Sequence, residues 1–392
     1  MKRLQDLGIA VIGLGVRAYL IELIHRPGRG ARVVALCDRD AAVLTQRCAA
    51  LGGPDKVFTS RDYLEVVQNP GVDAVVVLSP DHLHEEMAVA ALQAGKTVFC
   101  DKPLSISTSG CDRILSAAAQ SGSRLYVGHN MRHFPVVRLL KRLIDDGAIG
   151  EPRAIWCRHF VGHGGDYYFK DWHAQRRHTH SLLLQKGAHD IDVIHWLVGG
   201  VGRLVQGLGG LVLYDEVRDR HSGQKASDWL DPERHWPPLS QKQLHPEIDV
   251  EDLSMLQMRL DNGVFASYQQ CHFTPDYWRN YTIIGTSGRL ENFGDINGVV
   301  RLWNRRHDYC EHGDREYAFS AQQGGHGGAD VQLIDEFLRF ARAGGPTDTS
   351  PVAAREAVAV GCAATDSLRH GGMPVAVSPP PEAVSRYFAR HT

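Results

Sequence analysis

Two short motifs carry the chemistry this chain can be read for. Gly13-Leu14-Gly15-Val16-Arg17-Ala18 follows the apolar run Ile9-Ala10-Val11-Ile12, and Asp101-Lys102-Pro103 follows Thr97-Val98-Phe99-Cys100. The small residues have separate uses. Gly13 permits a tight turn, Gly15 lets the backbone approach a pyrophosphate, and Ala18 allows close helix packing. Amides opening a helix over 17–26 then face an anion. The glycine pattern alone is a weak signal, but it lies between a strand and a helix, as the motif requires. Asp38 ends the second apolar run, where it can accept hydrogen bonds from ribose hydroxyls and repel a 2′-phosphate. The other reading of Asp38 is a surface turn acid. Arg39 can stack on adenine or take a phosphate, so NAD is expected and NADP is left open. Lys102 stands at the carboxyl edge of the same sheet, where the reactive end of such a cofactor would lie. The two motifs together imply hydride chemistry rather than nucleotide binding alone.

These residues need a parallel sheet to hold them. Strands are predicted at 7–12, 32–37, 73–78, 96–100 and 124–128, with helices at 17–26, 41–51, 60–67, 82–94 and 107–120. That alternation implies βαβ units. Beyond Asn130 the pattern changes. A helix at 135–146 and a strand at 152–161 precede a helix at 182–198 that carries His189, Asp192 and Trp196. Strand-like runs follow at 203–213, 253–260, 263–272, 280–285 and 299–304, joined by turns such as Asp261-Asn262-Gly263, which suggests a mainly antiparallel sheet. Helices are expected at 330–343 and 351–370, and Pro379-Pro380-Pro381 is expected to end the compact part. The domains expected are 1–128, 129–375 and a tail, 376–392. Residues 215–248 are polar and hold Pro232, Pro237, Pro238 and Pro246. A loop of that length is usually functional or disordered, and Trp229 and Trp236 point to docking, as a lid or an oligomer arm.

The bulk numbers exclude several classes. The 392 residues suffice for about two or three domains, and 43% hydrophobic with 22% charged residues is ordinary for a soluble protein. A net charge of −2 gives no global field for nucleic acid or membrane. No apolar run approaches the ~20 residues of a membrane span. Met1-Lys2-Arg3 and the apolar residues after it run straight into the glycine turn without a cleavage site, so they are read as a first strand rather than a signal peptide. Eight scattered cysteines with no C-x-x-C pair fit reduced thiols in the cytoplasm.

The chain resembles the Gfo/Idh/MocA family, the glucose–fructose oxidoreductase and inositol dehydrogenase group, over nearly its whole length. The carriers are Gly13–Ala18, Ser79-Pro80-Asp81-His82-Leu83-His84-Glu85, Ala94-Gly95-Lys96-Thr97-Val98, Asp101-Lys102-Pro103, Gly187-Ala188-His189-Asp190-Ile191-Asp192 and Gly285-Thr286-Ser287-Gly288. The resemblance implies an α/β protein: an N-terminal Rossmann dinucleotide-binding domain, then an α/β domain with a large open, mainly antiparallel sheet. It implies that substrate sits on that sheet facing the nicotinamide, and that the protein forms a homodimer or homotetramer. The family lysine falls on Lys102, with Asp101 in place of the usual glutamate, and the family acid/base histidine falls on His189. Imidazole suits proton transfer near neutral pH. The candidate cofactor contacts are Gly13, Gly15, Val16, Asp38, Arg39, Ser79, His84, Asp101 and Lys102. One departure matters: the inositol dehydrogenase type carries an aspartate four residues before the histidine, and here that position is Gln185. Glutamine cannot relay a proton, though it can orient a ring. Asp192 shares the helical face of His189 and either orients the imidazole or is structural.

The resemblance implies that the stretch from Arg158 to His189 borders the substrate. It holds Arg158, Lys170, Arg176, Arg177 and Lys186 against Asp166, Asp171 and Asp190, with His159, His163, His173, His178, His180 and His189 and the aromatics Tyr167, Tyr168, Phe169 and Trp172. Aromatic faces suit a sugar ring, and cations suit a carboxylate, phosphate or sulfonate. The candidate substrate contacts are Arg158, Tyr168, Trp172, His173, Arg176 and Lys186, the alternative being a solvated mixed-charge loop. His178-Thr179-His180 has no acidic or cysteine partner, so no metal is expected. Three functions compete. The first is NAD-dependent oxidation of a secondary hydroxyl on an anionic sugar or glycoside. The second, implied by relatives, is a redox-neutral glycosidase that oxidises C3, eliminates the aglycone, adds water and re-reduces. Its acid and base would come from Tyr167, Tyr168, His163 or His173. The third is a non-catalytic NAD-binding sensor, against which the retention of Lys102 and His189 argues.

Overall fold

The computed structural model describes residues 5–221 and 235–391. Trp229 and Pro232 of the expected docking loop lie outside the described residues. The chain divides into two compact units, one of residues 1–129, 330–355 and 380–392, the other of 130–329 and 356–379.

In the first unit β1 (Leu7–Ile12), β2 (Ala31–Cys37), β3 (Phe58–Ser60), β4 (Ala74–Val77), β5 (Thr97–Cys100) and β6 (Leu125–Val127) pair in parallel in the order β3-β2-β1-β4-β5-β6. The order reverses between β1 and β4, and open α/β sheets bind ligands outside the carboxyl ends of the strands at such a switch point. Strand β3 is an addition to the predicted set. Its three residues are too short and too exposed to show a period. The predicted helix over 17–26 is a tight turn, Val16–Tyr19, followed by Leu20–Ile24, and Pro27-Gly28 lie in the reversal that leads to β2.

The apolar strands bury Ile9, Val11, Leu36, Val76 and Phe99 in one core. Phe99 stacks on Tyr126 at 5.6 Å and meets Phe337 edge-on at 5.2 Å. Phe337 belongs to the helix Ala329–Ala343, which the sequence reading placed in the second domain. Amphipathicity shows that a helix has a buried face, not which sheet it covers. The three prolines do not end the fold either. Helix Glu382–His391 follows them, buries Val384 and Phe388, and packs against Thr108–Ser121.

The second unit is built on a nine-stranded sheet of β7 (Pro152–Phe160), β8 (Gly202–Gly210), β9 (Leu253–Leu260), β10 (Phe265–Cys271), β11 (Trp278–Gly285), β12 (Arg289–Phe293), β13 (Gly298–Trp303), β14 (Arg315–Phe319) and β15 (Val375–Ala376). Their order is β14-β13-β12-β11-β7-β10-β9-β8-β15, antiparallel except for the parallel pair β7–β10. Alternation along β7 decides what each face can do: Ile155, Cys157 and His159 are buried, while Trp156 and Arg158 are exposed. Helix Gly187–Val198 covers the buried face. The two described limbs of the 215–248 insertion pair with each other, His221 N donating to Leu244 O (2.8 Å) and Leu244 N to Asp219 O (3.0 Å). They bury Tyr214, Val217 and Leu244 against Phe169 and Leu182. Among the described residues no helix is long and apolar enough to cross a membrane.

His195 ties the covering helix to β8 by accepting the Gly202 N–H through Nε2 at 3.1 Å. Burial holds this ring down to about 4, and the pull of Asp192 is offset by Arg132 and Arg203. A proton on Nε2 would break the bond. Between the unfolded histidine value of about 6.5 and the folded one, only the unfolded chain gains a proton. His195 stabilisation is therefore complete above about pH 6.5 and falls, by up to ~1.4 kcal/mol per pH unit, as pH drops towards the folded value. Urea unfolding across this range is expected to show a shallower loss in His195→Gln than in the parent protein.

Candidate active site

In the first unit the candidate residues surround the glycine turn. Gly13 has φ +91°, and a Cβ there would lie 2.6 Å from the Leu78 carbonyl carbon and the Ser79 nitrogen, so glycine is required. A Cβ on Gly15 would meet nothing within 4 Å, which leaves that side of the loop open to a ligand. Asp38 Oδ2 accepts the Leu14 N–H at 2.7 Å and Oδ1 the Asp40 N–H at 2.8 Å, so the acid that ends β2 also shapes the turn. Each carboxylate oxygen keeps a second lone pair for a ribose hydroxyl. Val16 and Arg39 are exposed beside it.

Asp101 is held from the same loop. Its Oδ2 accepts from Arg17 Nε at 2.9 Å, and Arg17 Nη1 also reaches Tyr19 and, at 3.4 Å, Asp330. Burial opposes the Arg17 charge, but Asp101 and Asp330 outweigh it and hold the guanidinium ionised. Arg17 is a residue the motif reading passed over, because its partners lie 84 and 313 positions away. Asp101 Oδ1 and Ser79 Oγ are buried and have no hydrogen-bond partner among the described residues. Two orphaned polar atoms, a turn only glycine can make and an open loop face fit a dinucleotide.

His84 is a correction. Expected as a cofactor contact, it has both ring nitrogens engaged, Nδ1 with Pro103 O (2.7 Å) and Nε2 with Ser79 O (2.9 Å), and it is buried. Two carbonyl acceptors require both nitrogens to donate. Burial opposes that charge, yet Cys100, Asp81 and the Pro103 carbonyl push the ring up to about 10. His84 is a brace beneath the Lys102-Pro103 turn.

In the second unit the candidate residues lie on the covered face of the nine-stranded sheet. His189 and Gln185 are both buried, on two helical segments, Leu182–Gln185 and Gly187–Val198, that meet at Lys186. Asp192 is held by Arg132 through Nε–Oδ2 and Nη2–Oδ1 bonds, both 2.7 Å and both buried. That geometry favours the structural role for Asp192. Arg132→Met would leave the Asp192 charge buried without its guanidinium, and we expect a loss of about 3–5 kcal/mol in urea unfolding.

Lys186 is the centre of a group that the sequence only half shows. Its Nζ lies 5.5 Å from the Tyr168 ring and 5.8 Å from the Tyr277 ring. Burial opposes the Lys186 charge, but the two tyrosines hold the ammonium above the usual lysine range. Among the described residues it has no carboxylate within ion-pair distance. His173 sits edge-on to Tyr168 at 5.4 Å, stacks on Trp172 at 3.6 Å, and is held by Asp171 Oδ1 at 2.6 Å. So Tyr168, Trp172, His173 and Lys186 come together as expected.

Arg158 and Arg176 do not join them. Arg158 points from the opposite face of β7, where its guanidinium meets Asn280 and Glu291. The two-residue period of a strand puts it on the far side from His159. Arg176 is committed to Glu251 at 3.0 Å.

The sequence reading missed the support behind Lys186. Asp190 is buried among Arg279 (3.1 Å), His159 (3.1 Å) and Tyr281. Burial opposes its ionisation, but Arg279 and His159 hold it below the carboxylate range. Burial, reinforced by Arg279, takes His159 down to about 3, so its ring is neutral. Arg279 Nη1 donates to the Tyr277 phenol oxygen at 2.9 Å. The surrounding protein resists ionisation of that phenol, but Arg279 and Lys186 outweigh it and draw it below the usual tyrosine value. Nothing in a one-dimensional pattern links 190 to 279; the β7–β11 pairing sets Arg279 opposite His159, and the helix covering β7 brings Asp190 to both.

A parallel sheet with a glycine turn at its switch point, and a separate open sheet with a buried helix histidine, define a two-domain protein with a dinucleotide-binding fold in its first unit. Residues 7–129 match the oxidoreductase family with an NAD-binding Rossmann fold, and 141–377 match its C-terminal α/β domain, so the chain belongs to the Gfo/Idh/MocA family. It is 38% identical over 204 residues to an inositol 2-dehydrogenase of Klebsiella pneumoniae, a match covering 52% of this chain and 57% of that protein. Inositol 2-dehydrogenase 1 of Saccharopolyspora erythraea is 35% identical over 193 residues, covering 48% and 54%. The chain thus spans about half the length of these relatives. In fold it is similar to a solved structure of levoglucosan dehydrogenase in complex with NADH and levoglucosan, with TM-score 0.76, 20% identity, and 95% of this chain and 100% of that one covered.

Proposed function

We propose that the protein oxidises a secondary ring hydroxyl of an anionic sugar or glycoside, in the cytoplasm and as a homodimer or homotetramer. The observation that carries the anionic substrate is Lys186: a cation flanked by two tyrosine rings and, among the described residues, with no carboxylate within ion-pair distance. NAD, held by the loop from Gly13 to Val16 with Asp38, Ser79 and Asp101, supplies the hydride acceptor when bound. Lys102 Nζ hydrogen-bonds the reacting oxygen and stabilises charge developing on it. His189 takes the hydroxyl proton on a ring nitrogen. Lys186 binds the anionic group, and Tyr168 and Tyr277 cover the ring.

Tyr277 favours a second reading. Held by Arg279 at 2.9 Å and facing Lys186, its phenol is suited to remove the C–H proton that oxidation of the neighbouring carbon acidifies, the step a redox-neutral glycosidase needs. One experiment separates the two. The purified protein is given matched neutral and anionic aryl glycosides and free sugars, and NADH and released aglycone are followed together. NADH growing in step with sugar consumption supports the dehydrogenase. Aglycone release at catalytic NAD demand supports the glycosidase, and hydride exchange with no sugar would leave an NAD-binding sensor. For either enzyme, Lys186→Met is expected to raise KM for the anionic member at least about tenfold, near 1.4 kcal/mol, and leave the neutral one within about twofold. Equal rates on neutral and anionic sugars would sink the charge preference.

A further inference from the structure

A second cavity in the same unit is not used by this chemistry. It encloses about 130 Å³ and is lined by Asp166, Tyr214, His235, Trp236, Gln241 and Phe273. On a comparable measure a cavity of about 150 Å³ takes benzene, with its six heavy atoms, so this slightly smaller one takes a glycerol-sized polyol or one edge of a sugar ring. One wall includes Asp166 of the short helix Gly164–Tyr168, and another includes His235, Trp236 and Gln241 of the insertion. Gly165 makes the approach possible, since a Cβ there would lie 2.7 Å from Gln241 Nε2 and 2.8 Å from the Tyr214 hydroxyl.

The polar atoms of the cavity state what it would take. Asp166 Oδ1 accepts from Lys170 Nζ at 2.8 Å and from His235 Nδ1 at 2.7 Å, so the buried carboxylate is already matched by a buried lysine. An additional anion would face the Asp166 carboxylate, and an additional cation would find that carboxylate already engaged by Lys170 and His235. Gln241 is 5% exposed, and its Oε1 has no hydrogen-bond donor among the described residues. A buried acceptor of this kind costs about 1–3 kcal/mol unless a donor reaches it. A neutral hydroxyl supplies that donor. Trp236, 47% exposed, and Phe273 offer apolar faces for the C–H side of the same molecule.

We propose that this cavity is a subsite for a neutral sugar unit or polyol. Asp166 stands two residues before Tyr168, whose ring lies against Lys186. The cavity therefore takes a neutral second unit of a substrate whose anionic unit sits at Lys186. The order of units rests on the reading of Lys186 above; occupancy of the cavity does not.

Calorimetric titration of the full protein with methyl glucoside, methyl galactoside and glycerol, and separately with gluconate, tests this. At least one neutral probe is expected to bind. Trp236→Ala is expected to weaken it about tenfold, roughly the 1.4 kcal/mol of one stacking contact, with Gln241→Leu acting in the same direction and Lys186→Met leaving it unchanged. Failure of all three neutral probes to bind, or binding that ignores both cavity variants, overturns the proposal. Neutral-probe binding lost only in Lys186→Met overturns it as well, since the sugar would then occupy the Lys186 site alone. Gluconate binding lost in Lys186→Met and kept in Trp236→Ala tests the Lys186 reading by itself, so the two can fail separately.

Discussion

Lys102→Met is expected to give a folded protein that still binds NAD but oxidises its sugar about 10²–10³-fold more slowly, a loss of roughly 3–4 kcal/mol of transition-state stabilisation. The fold survives because the backbone on either side of Lys102 is fixed by other groups. Asp101 is pinned by Arg17 at 2.9 Å, and the Pro103 carbonyl is pinned by His84 at 2.7 Å. Methionine keeps the length of the side chain and removes only the charged donor. The loss therefore falls on kcat, because the ammonium is worth most where negative charge develops on the substrate oxygen. Slower hydride transfer also makes that step more fully rate-limiting, so deuterium at the oxidised carbon should give a larger kinetic isotope effect in the variant. Lys102→Arg, which keeps the charge, should recover part of the rate. An unchanged kcat in Lys102→Met would remove this residue from the chemistry.

The cofactor half was legible because its signals are local. Alternating apolar runs announce parallel strands, and a turn that needs φ +91° at Gly13 leaves its mark in the residue type itself. Asp38 and Asp101 could be named from their places at strand ends. Their partners could not: Arg17 joins Asp101 and Asp330 across 84 and 313 positions, and His84 spends both nitrogens on carbonyls that carry no side-chain signature. The substrate half was legible only as a stretch rich in rings and cations. Which members converge depends on strand parity and pairing. One position separates His159, buried beside Asp190, from Arg158, exposed on the other face. Tyr277 and Arg279 reach Lys186 through a neighbouring strand that the sequence does not connect to it. The helix Ala329–Ala343 shows the same limit at the scale of the fold: its apolar stripe was plain, but the sheet it covers was not.

His189→Asn is expected to lower kcat/KM about 10²–10⁴-fold, the range for loss of a positioned general base. His189 lies one residue from Asp190, whose bonds to Arg279, His159 and Tyr281 anchor that turn of helix to the sheet, and three from Asp192, fixed by Arg132. The backbone under the imidazole is thus held by its neighbours, and asparagine should leave the unfolding midpoint nearly unchanged. The pH profile then separates chemistry from packing. An imidazole base gives kcat/KM an acid limb, on which the rate falls as the ring takes up a proton. In His189→Asn that limb should vanish, leaving a rate that climbs steadily with pH as hydroxide does the work. Added imidazole should restore part of the activity of His189→Gly. A variant that loses rate yet keeps the parent acid limb would make His189 a structural residue, and the base would have to be sought around Lys186, where the Tyr277 phenol is the group already drawn towards ionisation.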